Sequence, residues 1–166
     1  PALGPIDDSQ FGALAAIAAA EGDHRLAAGA LSRLGRGDLT RVPSGSAWLV
    51  TVYAAVEAAA QLGDTQTAAM AYRLLRPHER LPIIGGLGIV CFGSVEHALG
   101  VASLTLDNAD RAVAHFRPAI KENLALGHWP AACLSRHRLV QALTLRGLPG
   151  DEVEAAGELA AARREA

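Results

Sequence analysis

The stretch LGVASLTLDNADRAVAHFRPA, residues 99–119, decides the fold. An Asp107-Asn108 pair interrupts a helical pattern of apolar residues, and Ala112 and Phe116 follow that pair at a spacing of four residues. A small residue followed one helical turn later by a large apolar residue lets two helices pack closely, because the small side chain leaves room for its neighbour. The stretch therefore predicts a helical hairpin.

The same pattern occurs twice more, earlier in the chain. The turn, the alanine and the larger residue are Gly22-Asp23, Ala27 and Leu31 in the first copy, and Gly63-Asp64, Ala68 and Tyr72 in the second. The three alanines lie 41 and 44 residues apart. A supersecondary unit that recurs at such a period is typical of a helical repeat.

Helical periodicity, capping residues and breakers together predict eight helices in four hairpins. The fifth helix is expected to begin at Gly85 or Gly86, and Pro118 is expected to kink the sixth helix or to break it. Because no segment alternates convincingly with period two, essentially no strand is expected. The fold class is therefore all-α, in a single domain over residues 1–166, with hairpins at about 9–35, 46–76, 85–126 and 130–165.

Composition and charge exclude several functions. Hydrophobic residues make up 51% of the 166, and the net charge of −2 offers no basic face for nucleic acid. Two cysteines are too few for a disulfide framework, so a reduced, cytoplasmic setting is expected. The longest apolar run, residues 81–92, is too short to span a bilayer, so no membrane partner is expected. The chain shows no signal peptide and no starting Met, which suggests a fragment of a larger multidomain protein.

Three motifs invite a catalytic, cofactor or metal interpretation, and each is weak. Gly86-Leu87-Gly88 resembles part of a dinucleotide-binding motif, but no βαβ context surrounds it. His128, Cys133 and His137 have metal-ligand spacing in part, without a fourth ligand. Ser94, Glu96 and His97 combine a nucleophile, an acid and a base, but neighbours on one helix rarely reach attack geometry. We therefore expect no catalytic, cofactor-binding or metal-binding residue, no cofactor and no enzymatic activity.

Two further motifs bear on partners. Arg36-Gly37-Asp38 resembles a cell-adhesion sequence, but a chance occurrence in a linker is the favoured interpretation. Arginines and one histidine form a modest basic cluster on the seventh helix, which is interpreted as a solvated face, with an acidic protein partner as the alternative. The cluster consists of Arg136, His137, Arg138 and Arg146.

The hairpins resemble tetratricopeptide repeats, whose pattern includes a Leu-Gly pair followed by A-x3-F over a period of about 34 residues. Leu99-Gly100 and the Ala112-x3-Phe116 unit supply these two elements. The sequence departs from the repeat at Glu96, which stands in the usual Trp position, and at Ser103, which stands in the usual Tyr position. The resemblance implies a right-handed α-α superhelix of about four lengthened repeats, with each hairpin's first helix on the concave face.

Residues 74–147 resemble the C-terminal tetratricopeptide-like region of large bacterial signalling ATPases. These comprise LuxR-family transcriptional regulators of the MalT-like type and adenylate or guanylate cyclases fused to an ATPase module. The resembling pieces are Leu74-Leu75-Arg76-Pro77, Gly86-Leu87-Gly88, Cys91-Phe92-Gly93-Ser94-Val95, Leu99-Gly100, Ala112-x3-Phe116 and Leu126-Gly127-x2-Pro130.

The resemblance implies a non-catalytic module for protein–protein interaction or regulation within a bacterial signal-transduction or transcriptional regulator. Its partner would be another protein or a neighbouring domain, with self-association as a further option and no direct contact to nucleic acid. The alternative is a sensor domain that binds a small effector in the concave groove. An apolar pocket with converging polar groups would favour the sensor, and a flat or charged groove would favour docking of a protein.

Overall fold

A computed structural model describes residues 9–165 of the chain. Within those residues it contains eight α-helices and one two-stranded antiparallel sheet, which confirms the all-α class. The helices are α1 (Ser9–Ala20), α2 (His24–Arg33), α3 (Trp48–Leu62), α4 (Thr65–Leu75), α5 (Val95–Thr105), α6 (Ala109–Ala125), α7 (Trp129–Arg146) and α8 (Asp151–Glu165). None of the helices in this described part is long and apolar enough to cross a membrane.

Each helix packs mainly against its neighbours along the chain. Helix α1 contacts α2 and α3, helix α3 contacts α4 and α5, and α5 contacts α6. Helix α7 then packs between α6 and α8, and it also touches α5. This nearest-neighbour packing is what stacked hairpins produce. The superhelical sense of the stack stays a prediction.

One type of turn recurs four times between consecutive helices. In each turn a residue with positive φ ends one helix, and the next residue caps the following helix by accepting the N–H three positions further on. These pairs are Gly22-Asp23, Gly63-Asp64, Asp107-Asn108 and Gly127-His128. Four positions after each cap lies an alanine with no exposed surface, namely Ala27, Ala68, Ala112 and Ala132.

A very close contact between α5 and α6 lies at Gly100. A Cβ atom built on Gly100 would lie 2.5 Å from Cε1 of Phe116, a distance that real Cβ atoms do not tolerate. The Phe116 ring is fully buried against this bare backbone, and Leu99 beside it is fully buried as well. The Leu99-Gly100 and Phe116 elements of the sequence pattern are therefore one packing unit between α5 and α6.

Two antiparallel strands contradict the expectation of no strand. Strand β1 (Pro82–Gly85) pairs with β2 (Val90–Ser94), so α5 begins at Val95 and not at Gly85 or Gly86. A helix cannot pass through this segment because Gly86, Gly88 and Gly93 all have positive φ. The segment is also rich in Ile and Val, which favour strands, but it is too short and too apolar to show a clear period of two.

The expected break at Pro118 does not occur, because α6 runs continuously from Ala109 to Ala125. Proline removes the hydrogen bond that the carbonyl of Ala114 would otherwise accept. Ala114 lies on the exposed side of α6, where water can satisfy that carbonyl.

We predict that Gly100→Ala destabilises the fold by about 1–3 kcal/mol, because the new methyl group would overlap the Phe116 ring in a core without free space. The matched control is Gly29→Ala on α2, where nothing lies within 4 Å of an added Cβ. That substitution should stabilise the protein by about 0.5–1 kcal/mol, since alanine favours helix over glycine. Urea unfolding measures both, and equal effects of the two substitutions would contradict the packing described here.

Candidate ligand cleft between α3, α5 and α7

A cleft of about 480 Å³ lies between the C-terminal halves of α3, α5 and α7. These are the first helices of the second, third and fourth hairpins. Its walls are mainly apolar, and its polar groups come from α7 and the end of α5. The lining residues are Ala60, Val101, Leu104, Thr105, Arg138, Val140, Gln141, Thr144 and Leu145.

Three ionisable side chains from the same three helices meet beside the cleft, and we refer to Glu57, His97 and Arg138 as the polar cluster. Nε2 of His97 lies 3.7 Å from Oε1 of Glu57, and the nearest Arg138 nitrogen lies 3.9 Å from Oε2 of Glu57. Both distances exceed the range of a hydrogen bond. Arg138 itself lines the cleft, whereas Glu57 and His97 lie behind the lining, about one helical turn before the lining residues Ala60 and Val101.

The polar cluster is incompletely satisfied. Oε1 of Glu57, Nε2 of His97 and Nε of Arg138 are buried and have no hydrogen-bond partner among the described residues. An unpaired buried polar group costs about 1–3 kcal/mol, so three such atoms within one cluster are unusual in a folded protein. Such a cost is typical of sites that are completed by a ligand.

The orientation of the His97 ring is fixed by a hydrogen bond on the side that faces away from Glu57. Its Nδ1 lies 2.9 Å from Oγ of Ser135, which also accepts a hydrogen bond from the Asn123 amide. The oxygen of that amide accepts the backbone N–H of Ser94 at 2.8 Å. The imidazole side chain is only 4% exposed. Nε2 of His97 is therefore held toward Glu57.

A fourth polar group, the Tyr53 hydroxyl, stands near the cluster on α3. Burial raises the pKa of the Tyr53 phenol above its ordinary value, the Glu57 carboxylate raises it further, and Arg138 lowers it in part. The hydroxyl therefore keeps its proton and can donate or accept. It forms no hydrogen bond with the part of the chain that the structure describes.

The β-hairpin crosses the N-terminal ends of α3 and α7, on the far side of the polar cluster from the cleft. Its Phe92 ring packs against Tyr53 with ring centroids 5.8 Å apart, and Gly85 approaches Val50. On the other side, Nε2 of His128 lies 2.8 Å from the carbonyl oxygen of Cys91. The hairpin therefore packs on the N-terminal parts of α3 and α7, whereas the cleft lies at their C-terminal halves.

A second buried polar cluster, between α4, α5 and α6, is fully satisfied. Oε2 of Glu96 lies 2.5 Å from Nδ1 of His115, and Nε2 of His115 lies 3.0 Å from the Tyr72 hydroxyl. Ser103 accepts from Arg111 and donates to a backbone carbonyl. Glu96 and Ser103, the two departures from the repeat pattern, therefore belong to a structural network.

Ser135 contacts His97 and His97 faces Glu57, as the serine, histidine and acid of a hydrolase triad do. Ser135, however, has no exposed surface, and its hydroxyl donates to the carbonyl of Ala131 at 2.8 Å. A substrate could not reach this oxygen without displacing α7. The arrangement therefore positions His97 and does not activate a nucleophile.

The motifs nominated from the sequence are not assembled into sites. The hydroxyl of Ser94 bonds to Glu122 and caps α5, whereas His97 lies between Ser135 and Glu57, so these two side chains serve different networks. Gly86-Leu87-Gly88 forms the turn of the β-hairpin and not the start of a helix. Arg36-Gly37-Asp38 lies in a pair of short helical turns.

The proposed metal ligands are also separated. His128 caps α7, the Cys133 thiol lies 3.7 Å from the carbonyl of Ala162, and His137 contacts Gln141 on the exposed side. Among the described residues, no group of three potential ligands could hold a metal ion.

The interpretation of the α7 arginines as a solvated basic face is wrong. Arg136 pairs with Glu158, Arg138 faces Glu57, and Arg146 bonds through two nitrogens to Asp151. Each of these three side chains is less than a quarter exposed. The positive charges are therefore largely used within the fold.

Sequence reasoning missed Glu57 and Tyr53, the α3 members of the site. One signal was present, because Glu57 is the single charged residue within the 15 residues of α3. A lone carboxylate on an otherwise apolar helix needs a partner or a ligand. The position of that partner, Arg138 on α7, could not be read from the sequence.

Comparisons with known proteins give no family for this chain. No protein-family model matches it, and neither the curated proteins nor the solved structures contain a significant match.

We predict that the double substitution Glu57→Met and Arg138→Met leaves the free energy of unfolding within about 1 kcal/mol of its starting value, or raises it, because unpaired buried polar atoms are removed. The control is Glu96→Met, which breaks the satisfied cluster and should cost about 1–3 kcal/mol. Guanidinium unfolding measures both variants. A loss of more than about 3 kcal/mol in the double variant would mean that the polar cluster is structural.

Proposed function

We propose that this chain is a non-catalytic regulatory module that binds a ligand in the cleft between α3, α5 and α7. The observation that carries the proposal is the set of three buried, unpaired polar atoms beside an apolar cleft. Binding pockets typically combine an apolar lining with a few convergent polar groups. Binding of a ligand that favours one arrangement of the module would bias the state of a neighbouring domain.

A small molecule fits the cleft better than a long partner segment does. The volume of about 480 Å³ lies within the range of about 300–1,000 Å³ that is usual for small-molecule sites. The lining is mainly apolar and carries a few polar groups, as small-molecule sites do. The volume and the lining therefore support the sensor alternative over the docking of a protein segment.

One observation favours a protein partner as the second candidate. Leu145 lines the cleft and is 71% exposed, so it adds apolar surface that a partner could cover. The end of a partner segment could cover Leu145 and enter the cleft from its open side. In this case the module would dock a neighbouring domain or another protein.

The resemblance to the C-terminal regions of bacterial signalling ATPases supports a regulatory setting. In that setting, an ATPase switch and an effector domain would lie in other parts of a longer protein. Neither the transcriptional-regulator type nor the cyclase type is favoured by the cleft. The proposal of binding without catalysis is supported by the burial of Ser135 behind His97.

The test is an NMR screen of the ¹⁵N-labelled chain against a diverse library of small molecules and a library of short peptides. We expect small molecules to shift the backbone resonances of residues in the C-terminal halves of α3, α5 and α7. Leu145→Asp, which places a charge at an exposed position of the cleft lining, should abolish these shifts. The exposed-site control Val153→Asp on α8 should retain them.

If peptides bind at the cleft and small molecules do not, the protein-docking function is supported and the sensor function is rejected. Binding of neither library at the cleft would overturn the proposed function. Shifts that map to other parts of the chain and are unchanged by Leu145→Asp would also overturn it.

A further inference from the structure

We infer that α6 and α7 present a binding surface for an acidic helix, and that α8 covers this surface as a helix that can be released. The surface is marked by three arginines that pair with α8, and we refer to Arg117, Arg136 and Arg146 as the arginine surface. None of the three lines the cleft, so this inference does not depend on the proposed ligand site.

Helix α8 packs with its acidic side chains inward. Asp151 is 4% exposed and is the one buried side chain among the described residues of this helix. The half-buried residues follow it at helical spacing, and they are Glu154, Ala155, Glu158, Ala161 and Ala162. The two large apolar side chains, Val153 and Leu159, are instead 78% and 39% exposed. The face that α8 buries therefore consists of carboxylates and alanines.

Each carboxylate on this face meets one arginine, in the pairs Arg146–Asp151, Arg117–Glu154 and Arg136–Glu158. Arg117 and Arg146 each donate from two nitrogens to both oxygens of their partner, at 2.6–2.9 Å. Such two-pronged bonds are specific for a planar carboxylate. These bonds hold the pKa of Asp151 and the pKa of Glu154 below their ordinary values, so both groups are ionised near neutral pH.

The attachment of α8 is weaker than that of the central helices. Ion pairs that reach solvent contribute little because water and salt screen them, and the side chains of Arg117 and Glu154 are 47% and 31% exposed. The inward face of α8 adds no apolar side chain larger than alanine, whereas α5 and α6 bury Leu99 and Phe116 completely. Helix α8 can therefore open as a unit while the core stays folded, with residues 147–150 as its tether.

The release of α8 would uncover apolar as well as charged surface. Leu143 of α7 has no exposed surface and lines a depression together with Val153 and Ala155. Further along α7, the Cys133 thiol lies 3.7 Å from the carbonyl oxygen of Ala162. A helix that lays one face on such a surface is recognised by the side chains at helical spacing along that face.

The arginine surface would keep a positive charge after the release. One carboxylate of α6 stays nearby, since Asp110 lies 3.9 Å from Arg146 and is 80% exposed. The partner that fits this surface is therefore an amphipathic helix with carboxylates at positions i, i+3 and i+7 and small residues between them. Helix α8 has this pattern, so a partner helix of the same kind would compete with it.

The first part of the test measures the release of α8 in the full chain by backbone hydrogen exchange, followed by NMR. In the release variant, Glu154→Gln and Glu158→Gln remove two charges of the inward face. Exchange along α8 should become about threefold faster or more, as the loss of two partly exposed ion pairs implies, and exchange in α5 should not change. Circular dichroism should show the variant to be folded.

A matched pair of substitutions on α6 repeats this measurement from the other side of the contact. Arg117→Met removes the partner of Glu154 and should also speed up exchange along α8. Lys121→Met lies one turn further along α6 at an exposed position and should leave that exchange unchanged.

The second part probes the uncovered surface with a synthetic peptide that copies residues 148–166. The peptide is added to the ¹⁵N-labelled release variant, because the tethered wild-type helix would compete at an effective concentration of about a millimolar. We expect shifts of α6 and α7 resonances near the arginine surface. A control peptide with Asp151→Asn, Glu154→Gln and Glu158→Gln should bind about fivefold more weakly or less, since its bonds to arginine lack the charge.

Equal exchange along α8 in the release variant and in Lys121→Met would overturn the inference, because the ion pairs would then not hold the helix. Faster exchange in α5 together with α8 would also overturn it, since α8 would then not open as a separate unit. Equal binding of the two peptides, or no binding of either, would overturn the acidic helix as the partner. None of these outcomes bears on the ligand cleft.

Discussion

The contact between the bare backbone of Gly100 and the buried ring of Phe116 is the constraint on which the rest of the structure depends. It brings α5 and α6 close together and makes α5 the central helix, which also touches α3, α4 and α7. His97 lies one turn before Gly100, and its ring packs 5.6 Å from the Phe116 ring. The packing that closes the core therefore also places the imidazole of His97 within the polar cluster beside the cleft.

Local rules account for most of the helical architecture, because each hairpin is specified by residues close together in the chain. A glycine or an aspartate with positive φ, a capping side chain and an alanine four positions later determine where one helix ends and the next begins. The copy at Gly127-His128 and Ala132 escaped notice because histidine is an uncommon cap. The β-hairpin escaped notice because its strands are four and five residues long and bear apolar side chains on both faces.

The candidate site could not be predicted in the same way, because its members come from three helices far apart in the sequence. Arg138 was interpreted as part of a solvated basic face, since helix position alone does not reveal that α3 lies within reach of α7. Because Arg138 is largely buried, its charge requires a partner, which an exposed charge would not. The polar side chains of the fold divide into two kinds. Glu96 and His115 are fully bonded and hold helices together, whereas Glu57, His97 and Arg138 each have one buried atom without a hydrogen-bond partner among the described residues.

The central claim is that Arg138, a residue of the cleft lining whose Nε has no hydrogen-bond partner among the described residues, contacts the ligand when the cleft is filled. The most direct measurement is the side-chain Nε–H resonance of Arg138 in the ¹H–¹⁵N spectrum, assigned by its absence in Arg138→Lys. The account predicts that a small molecule bound in the cleft moves this resonance and slows its exchange with water. A resonance that stays unchanged while a small molecule occupies the cleft would contradict the account.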